Sequence, residues 1–191
     1  MLKDLITSRV RVKILTLLLS YPQQIFHVRE IVRQTQEEIN AVRRELAHME
    51  ERGMVTKEHR ANRLYYAFRK TYPLYFELLE LAAKTTGLGG EILKQKAKLG
   101  KIKFVMLSGK YVRQLKLDVN TVDLLIVGTV VLPELAQIVR AAESKLGREI
   151  NYTVMTEEEF LFRKRRRDPF IFGILAGSRT LIIGDEEELV A

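Results

Sequence analysis

The segment from Phe26 to Phe68 constrains this chain most, because helical and strand periodicities follow one another there in a fixed order. Val28 to Gln34 reads as a short helix with Val28, Ile31 and Val32 facing inward. A longer helix follows, carrying Ile39, Val42, Leu46 and Met49 as one apolar stripe. Thr35 and Glu38 stand three apart, the spacing of a capping box at its start. Gly53 suits the left-handed residue that stops such a helix. Met54 to Glu58 and Arg63 to Phe68 read as strands around a turn at His59-Arg60-Ala61-Asn62. Upstream, Ser8 to Ser20 carries Val12, Leu15, Leu18 and Leu19 at helical spacing, and Tyr21-Pro22 ends it.

The face opposite the Ile39–Met49 stripe offers Asn40, Ala41 and Arg44, with Arg43 at its edge. Arginine can bond two acceptors of guanine and asparagine two groups of adenine. Taken alone, this face reads more readily as an ordinary solvated one. The hairpin shifts the balance, because Lys57, Arg60 and Arg63 put positive charge at or near its tip, where it can grip phosphates. Helix, turn, basic helix and hairpin in that order are the sequence form of a winged helix-turn-helix, which points to duplex DNA. The candidate contact residues are Thr35, Gln36, Asn40, Ala41, Arg43, Arg44, Lys57, Arg60, Asn62 and Arg63. Tyr65, Tyr66 and Phe68 read as sheet and core residues.

Leu46-Ala47-His48-Met49-Glu50-Glu51-Arg52-Gly53-Met54-Val55 resembles the recognition-helix exit of MarR-like and ArsR-like winged-helix regulators. Asn62-Arg63-Leu64-Tyr65-Tyr66 resembles their second wing strand. The resemblance covers about Ser8 to Phe68 and implies a transcription regulator that binds double-stranded DNA as a homodimer. The metal-sensing cysteines of ArsR-like proteins have no counterpart here, since the chain has no Cys.

Charge agrees with this placement. Met1 to Lys70 holds 14 Lys/Arg and 8 Asp/Glu, a net +6, whereas Thr71 to Ala191 holds 18 and 16, a net +2. A phosphate-binding surface requires such an excess. Without cysteine there are no disulfides and no thiolate metal sites, and His27, His48 and His59 lack ligand spacing. No metal and no cofactor are expected. No apolar run resembles a signal peptide or a membrane span, so the expectation is a cytoplasmic protein with no membrane partner.

Length allows two small domains, expected as residues 1–85 and 86–191. A helix from Tyr72 to Thr85 places Leu74, Leu78, Leu81 and Ala82 on one face. Tyr75, Leu78, Leu79 and Ala82 offer further apolar surface, which suits either a dimer contact or a cap on its own domain. Thr85 to Gly90 reads as a joint and Glu91 to Leu99 as one more helix. From Ile102 the pattern alternates: strands at Phe104–Leu107, Val122–Gly128, Ile150–Met155 and Leu181–Gly184, and helices at Pro133–Leu146 and from Glu157. Ile171, Phe172, Ile174 and Leu175 read as core. The expected fold class is α+β, a winged helix-turn-helix followed by an α/β domain with a mixed sheet.

Leu107-Ser108-Gly109-Lys110-Tyr111-Val112-Arg113 and Asn120-Thr121-Val122-Asp123-Leu124-Leu125-Ile126-Val127 resemble the two opening motifs of minimal nucleotidyltransferases of the DNA polymerase beta superfamily. Arg148-Glu149-Ile150-Asn151-Tyr152, followed by Glu158-Glu159-Phe160, is similar to a subgroup fused to winged helices. The resemblance spans about Ile102 to Gly184 and implies a nucleotidyltransferase-like fold. Its catalytic signature is degraded. The first family aspartate falls on Thr121, the third acidic position falls near Asn151, and the serine after the glycine is Lys110. One remaining carboxylate, Asp123, is too few for two Mg²⁺ ions. The expectation is therefore no enzyme and no catalytic residue. Gly109, Lys110, Arg113, Thr121 and Asp123 would form a vestigial nucleotide site open to a small anionic or nucleotide effector, or, more blandly, a solvated lysine and a structural aspartate. Rival readings are an active transferase acting on protein or nucleic acid, and an antitoxin-like interaction module. Arg163-Lys164-Arg165-Arg166-Arg167 is the densest basic run and reads as extra DNA contact, a patch for an acidic partner, or a solvated helix end.

Overall fold

A computed structural model describes residues 6–116 and 121–190 of the chain. Asn120, at the head of the second motif, lies outside the described residues. The chain divides into two compact units, Met1–Thr85 and Thr86–Ala191. It is a mixed α and β protein, and its larger sheet has both parallel and antiparallel pairs.

In the first unit α1 spans Arg9–Ser20, capped by the Ser8 hydroxyl, which accepts from the Arg11 N–H. A two-residue strand β1 (Phe26–His27) leads straight into α2 (Val28–Thr35), and α3 (Ile39–Glu51) follows. Ile14, Ile31, Val42, Leu46 and Met49 have no exposed surface, so the three helices share one core. Burying each such side chain stabilises by about 1.5–3 kcal/mol before entropy is counted. The capping box expected at Thr35 is replaced. Thr35 is the last residue of α2, and its hydroxyl bonds the Ile31 carbonyl at 2.7 Å. Gln36 then turns left-handed (φ 52°), and Glu38 becomes the α3 cap, accepting from the Ala41 N–H at 2.9 Å. At the far end Gly53 has φ 70°, and the N–H groups of Gly53 and Met54 bond back to Glu50 and Met49, a Schellman ending.

Strands β2 (Val55–Arg60) and β3 (Arg63–Phe68) form a hairpin with a turn of only Ala61 and Asn62, tighter than expected. Strand β1 pairs with β3, Phe26 opposite Tyr66 and His27 opposite Tyr65, giving a sheet of order β1-β3-β2. Helix α4 (Tyr75–Thr85) packs on α1 with a phase different from the expected one. Tyr75, Leu79 and Ala82 are buried in their own unit, while Leu74 and Phe76 are more than half exposed. Tyr75 and Leu79 are thus core residues and not spare surface for a partner.

The second unit opens with α5 (Gly87–Lys94) and a 3₁₀ turn at Lys96–Lys98. The expected glycine joint is inside this helix, and Gly89 and Gly90 are buried where α5 packs near α7. Strand β4 (Gly100–Ser108) is followed by a single-turn helix α6 (Gly109–Val112). Strand β5 (Leu124–Val130), helix α7 (Leu132–Leu146) and strand β6 (Tyr152–Met155) form a parallel crossover. Helices α8 (Glu157–Arg165) and α9 (Pro169–Ala176), strand β7 (Arg179–Ile183) and helix α10 (Glu186–Val190) complete it. The sheet order is β6-β5-β4-β7, with β4 antiparallel to both neighbours. Both faces of β4 are covered, since Phe104, Val105, Met106 and Leu107 are all buried. Phe104, Met106, Leu125 and Val127 pack with Met155, Phe160, Ile171 and Leu189, and Ile174 and Leu175 lie against them. Phe172, expected in this core, is 46% exposed, because it falls on the outer side of α9.

Candidate functional site

Two residue groups carry the chemistry, one in each unit. In the first, Val42, Leu46 and Met49 fix α3 against α1 and α2. The opposite side presents Asn40, Arg43 and Arg44 to solvent, with Ala41 half-buried. Neither arginine has an ion pair among the described residues, so both guanidinium groups are available. Gln36 is also exposed. Thr35 is not: it is 5% exposed and its hydroxyl is committed within α2, which removes it from the contact set.

The turn that aims α3 is held by residues that sequence reasoning missed. Lys13 of α1 donates to the Thr35 carbonyl at 2.8 Å and pairs with Glu37 at 2.6 Å, and Arg9 takes Glu37 at 2.9 Å. These two cations hold the Glu37 carboxyl below its ordinary range. Glu45, on α3, accepts from the Ser8 hydroxyl at 2.9 Å and pairs with Arg11. Ser8 and three cations of α1 therefore tie this segment to the α2–α3 turn and to α3. Only their separation in sequence hides them, since acids at positions 37 and 45 find their partners through the fold.

The hairpin cations are less free than their sequence suggests. Lys57 bonds Glu50 at 3.2 Å, a contact that holds its ammonium above the ordinary range. Arg60 forks onto Glu58 at 2.8 and 3.1 Å and lies over the Tyr65 ring. Glu58 in turn is held low by that hydrogen bond. Arg63 and Asn62 are exposed, and Arg63 has no ion pair among the described residues. Both pairs are solvent-exposed and contribute little to stability, so a phosphate could displace either carboxylate.

In the second unit the motif residues separate. Asp123 lies one residue before β5, and its backbone joins β4 and the approach to β6: Ser108 N–H to Asp123 O at 2.8 Å, Asp123 N–H to Asn151 O at 2.7 Å. Its carboxylate is fully buried and accepts from Arg148 and from the Asn151 N–H, both at 3.1 Å. The side chain thus goes to Arg148 and the Asn151 N–H. Burial pushes the Asp123 carboxyl up, and Arg148 pulls it partly back. Arg148 also lies over the Tyr111 ring at 5.2 Å, and burial pushes that phenol up. Asp123 Oδ1 and Arg148 Nη2 are buried without a hydrogen-bond partner among the described residues. Thr121 offers its carbonyl to the Asn151 amide at 3.3 Å.

Gly109 sits against Ser178 at the entry to β7, and its N–H donates to the Ser178 carbonyl at 2.6 Å. Arg113 binds both sides of this contact, donating to Gly109 O at 3.0 Å and to Ser178 Oγ at 2.8 Å. Lys110 is exposed. So Gly109 and Arg113 form one cluster with Ser178, Asp123 forms another with Arg148 and Asn151, and Lys110 stands outside both. Beside Arg148 lies an open cleft of about 320 Å³, lined by Gln114, Leu115, Lys116, Leu146 and Arg148. Among the described residues no group of three or more His, Cys, Asp or Glu is placed to hold a metal ion, and no helix is long and apolar enough to cross a membrane. Comparisons with protein-family models, curated proteins and solved structures gave no match.

Proposed function

We propose that this chain is a dimeric, sequence-specific regulator of transcription built from an N-terminal winged helix-turn-helix and a C-terminal nucleotidyltransferase-like domain that does not transfer nucleotides. The observation that carries the reading is the outer side of α3: Asn40, Arg43 and Arg44 are exposed, neither arginine has an ion pair among the described residues, and the other side of the helix buries Val42, Leu46 and Met49. Base edges in the major groove are read by such side chains near a helix start. Arg63, Asn62 and the displaceable Lys57 and Arg60 would hold the adjacent backbone.

The second domain supports the same reading from the other direction. With Thr121 and Asn151 neutral, Asp123 is the one carboxylate left at the motif, and it is already engaged by Arg148. A guanidinium there supplies the charge that a Mg²⁺ ion would otherwise bring to Asp123. The domain would then serve assembly or the sensing of an anionic effector.

Selection of bound sequences from a random duplex pool with the full chain tests the proposal, and enrichment of a near-palindromic site is the expected result. No retention of any duplex at any low salt concentration would overturn it. Incubation with Mg²⁺ and labelled nucleoside triphosphates should label neither protein nor nucleic acid. Labelling that Asp123→Asn abolishes would instead establish a transferase.

A further inference from the structure

Helix α8 carries a stripe that the proposed DNA contacts do not use. Its sequence runs from Glu157-Glu158-Glu159 to Arg163-Lys164-Arg165, and Phe160 anchors it in the core with no exposure. Residues 158, 161, 162 and 165 share the side opposite Phe160, following the 3.6-residue repeat. Leu161 is 42% exposed and Phe162 51% exposed, although both are large and apolar. The charges on the flanks are satisfied within the unit: Glu157 pairs with Lys103 at 2.7 Å, Glu159 with Arg163 at 2.8 Å, and Lys164 donates to the Leu189 carbonyl at 2.9 Å. Glu158 and Arg165, on the stripe itself, are exposed and have no ion pair among the described residues.

This arrangement is its own complement. If a second α8 is laid antiparallel across the first, with the two-fold axis midway between residues 161 and 162, Glu158 faces Arg165 of the other copy at both ends. Leu161 then meets Phe162 in the middle, twice. A two-fold contact requires this kind of self-complementary patch. We infer that the Glu158–Leu161–Phe162–Arg165 stripe of α8 is a homodimer interface, occupied by the same stripe of a second copy. The inference does not rest on DNA binding and is testable without it.

An anionic surface is a poorer fit to the stripe. The stripe has an acid at one end and a base at the other, Arg166 lies over its Phe162 ring at 4.8 Å, and three glutamates occupy the first turn of the same helix. A membrane or a nucleic acid would have to accept those glutamates beside its own phosphates. A second copy meets each with the opposite sign. A helix of nine residues is about 13 Å long, so the pair alone buries less than a standard interface. Helix α9, which packs on α8, leaves Phe170 and Phe172 exposed. The expected association is in the micromolar range, at the weak end of specific interfaces.

Analytical ultracentrifugation of the full chain, without nucleic acid, tests the inference. Wild type should dimerise. Glu158→Arg and Arg165→Glu should each weaken the dimer by about ten-fold or more, because each sets like charges opposite one another at both ends. The double variant carrying both changes should dimerise like wild type. An equimolar mixture of the two single variants should form a heterodimer although neither associates alone. Both positions are exposed, and circular dichroism identifies any variant that fails to fold. In that case the mixture or the double variant decides. Single reversals that leave the dimer intact, or a double variant that stays as weak as either single, would overturn the interface. A wild-type chain that is monomeric at every concentration and floats with anionic phosphatidylserine vesicles would overturn it in favour of a membrane surface.

Discussion

The Arg148 guanidinium reaches the fully buried Asp123 carboxylate at 3.1 Å and is itself 30% exposed, so one partner of the pair is desolvated far more than the other. Burial raises the folded Asp123 pKa above its ordinary 3.8 and Arg148 opposes that rise. A carboxyl with a raised folded pKa contributes stability that is present below 3.8 and lost as pH climbs through the folded value. Asp123→Asn should therefore flatten the fall in stability that runs from 3.8 up to the folded value. Arg148→Gln removes the opposing contacts, so the folded pKa should climb and the loss extend to higher pH. Its cost at neutral pH should be about 1–3 kcal/mol, below that of a fully buried pair because the arginine is partly solvated. The double variant should recover most of it. Urea unfolding between about pH 4 and pH 8 reads all three. An Arg148→Gln chain as stable as wild type throughout would show that the pair carries no weight.

On α3 and the hairpin, two substitutions should act in different ways. If Arg44 reads bases as proposed, Arg44→Ala should cost about 1–3 kcal/mol on the preferred duplex and relax the preference for it. Glu58→Gln removes the fork that holds Arg60. It should tighten binding to every duplex alike and steepen the salt dependence by about one counterion. Fluorescence anisotropy over a salt series separates the two. Equal effects of Arg44→Ala on all sequences would place Arg44 on phosphate instead.

Glu38 caps α3 through the Ala41 N–H, and this bond and its neighbour at Asn40 hold its carboxyl below the ordinary 4.5. A depressed carboxyl contributes stability above its unfolded value and loses it as pH falls through the folded one. Glu38→Ala should fray the first turn of α3, seen as faster amide exchange at Asn40 and Ala41. The same amides should loosen in wild type only when pH drops below 4.5. Unchanged exchange in the variant would mean that Glu37 or solvent replaces the cap.

A methyl group on Gly109 would run into Ser178 Oγ, with the Ser178 backbone oxygen only 2.9 Å away. Gly109→Ala should destabilise the second unit by about 1–3 kcal/mol through overpacking. Ser178→Gly clears the side-chain atoms but not that oxygen, so the pair of changes should recover part of the loss. Full additivity of the two would refute the contact as the reason for the glycine.

Elements with strong local periodicity were legible in the sequence: α1, α3, the hairpin strands and α7 stand near their expected bounds, whereas β4 begins at Gly100, four residues before the expected Phe104. What escaped was set by contacts between distant segments. Leucine or alanine occupies most positions between 74 and 83, so no single stripe stands out on α4, and α1 selects the Tyr75–Leu79–Ala82 side. Gly87 to Gly90 looked like a hinge because glycine loosens a free backbone. Instead Gly87 takes a left-handed φ of 55° at the start of α5, and Gly89 and Gly90 are buried within that helix. Thr35 is ambiguous locally, since a threonine hydroxyl serves a helix start or bonds backward to a carbonyl four residues earlier. In the second unit Asp123 was legible as the surviving acid. Arg148, which binds it, sits in a connection without periodicity, and Ser178 gave no signal at all. The α8 stripe was hidden because its two charges are opposite and its two apolar residues adjacent, which reads as noise along the chain.

The two residues of β1 join the helices to the hairpin. Phe26 and His27 pair with Tyr66 and Tyr65 and run without a break into α2, and the His27 and Tyr65 rings lie 5.5 Å apart. The first unit therefore behaves as a ruler, because the sheet ties the helices to the Ala61-Asn62 tip. If Arg44 and that tip hold one duplex, as proposed, an extra base pair between their contacts would turn those contacts apart by about a tenth of a helical turn. Such a duplex would keep one grip only by losing the other.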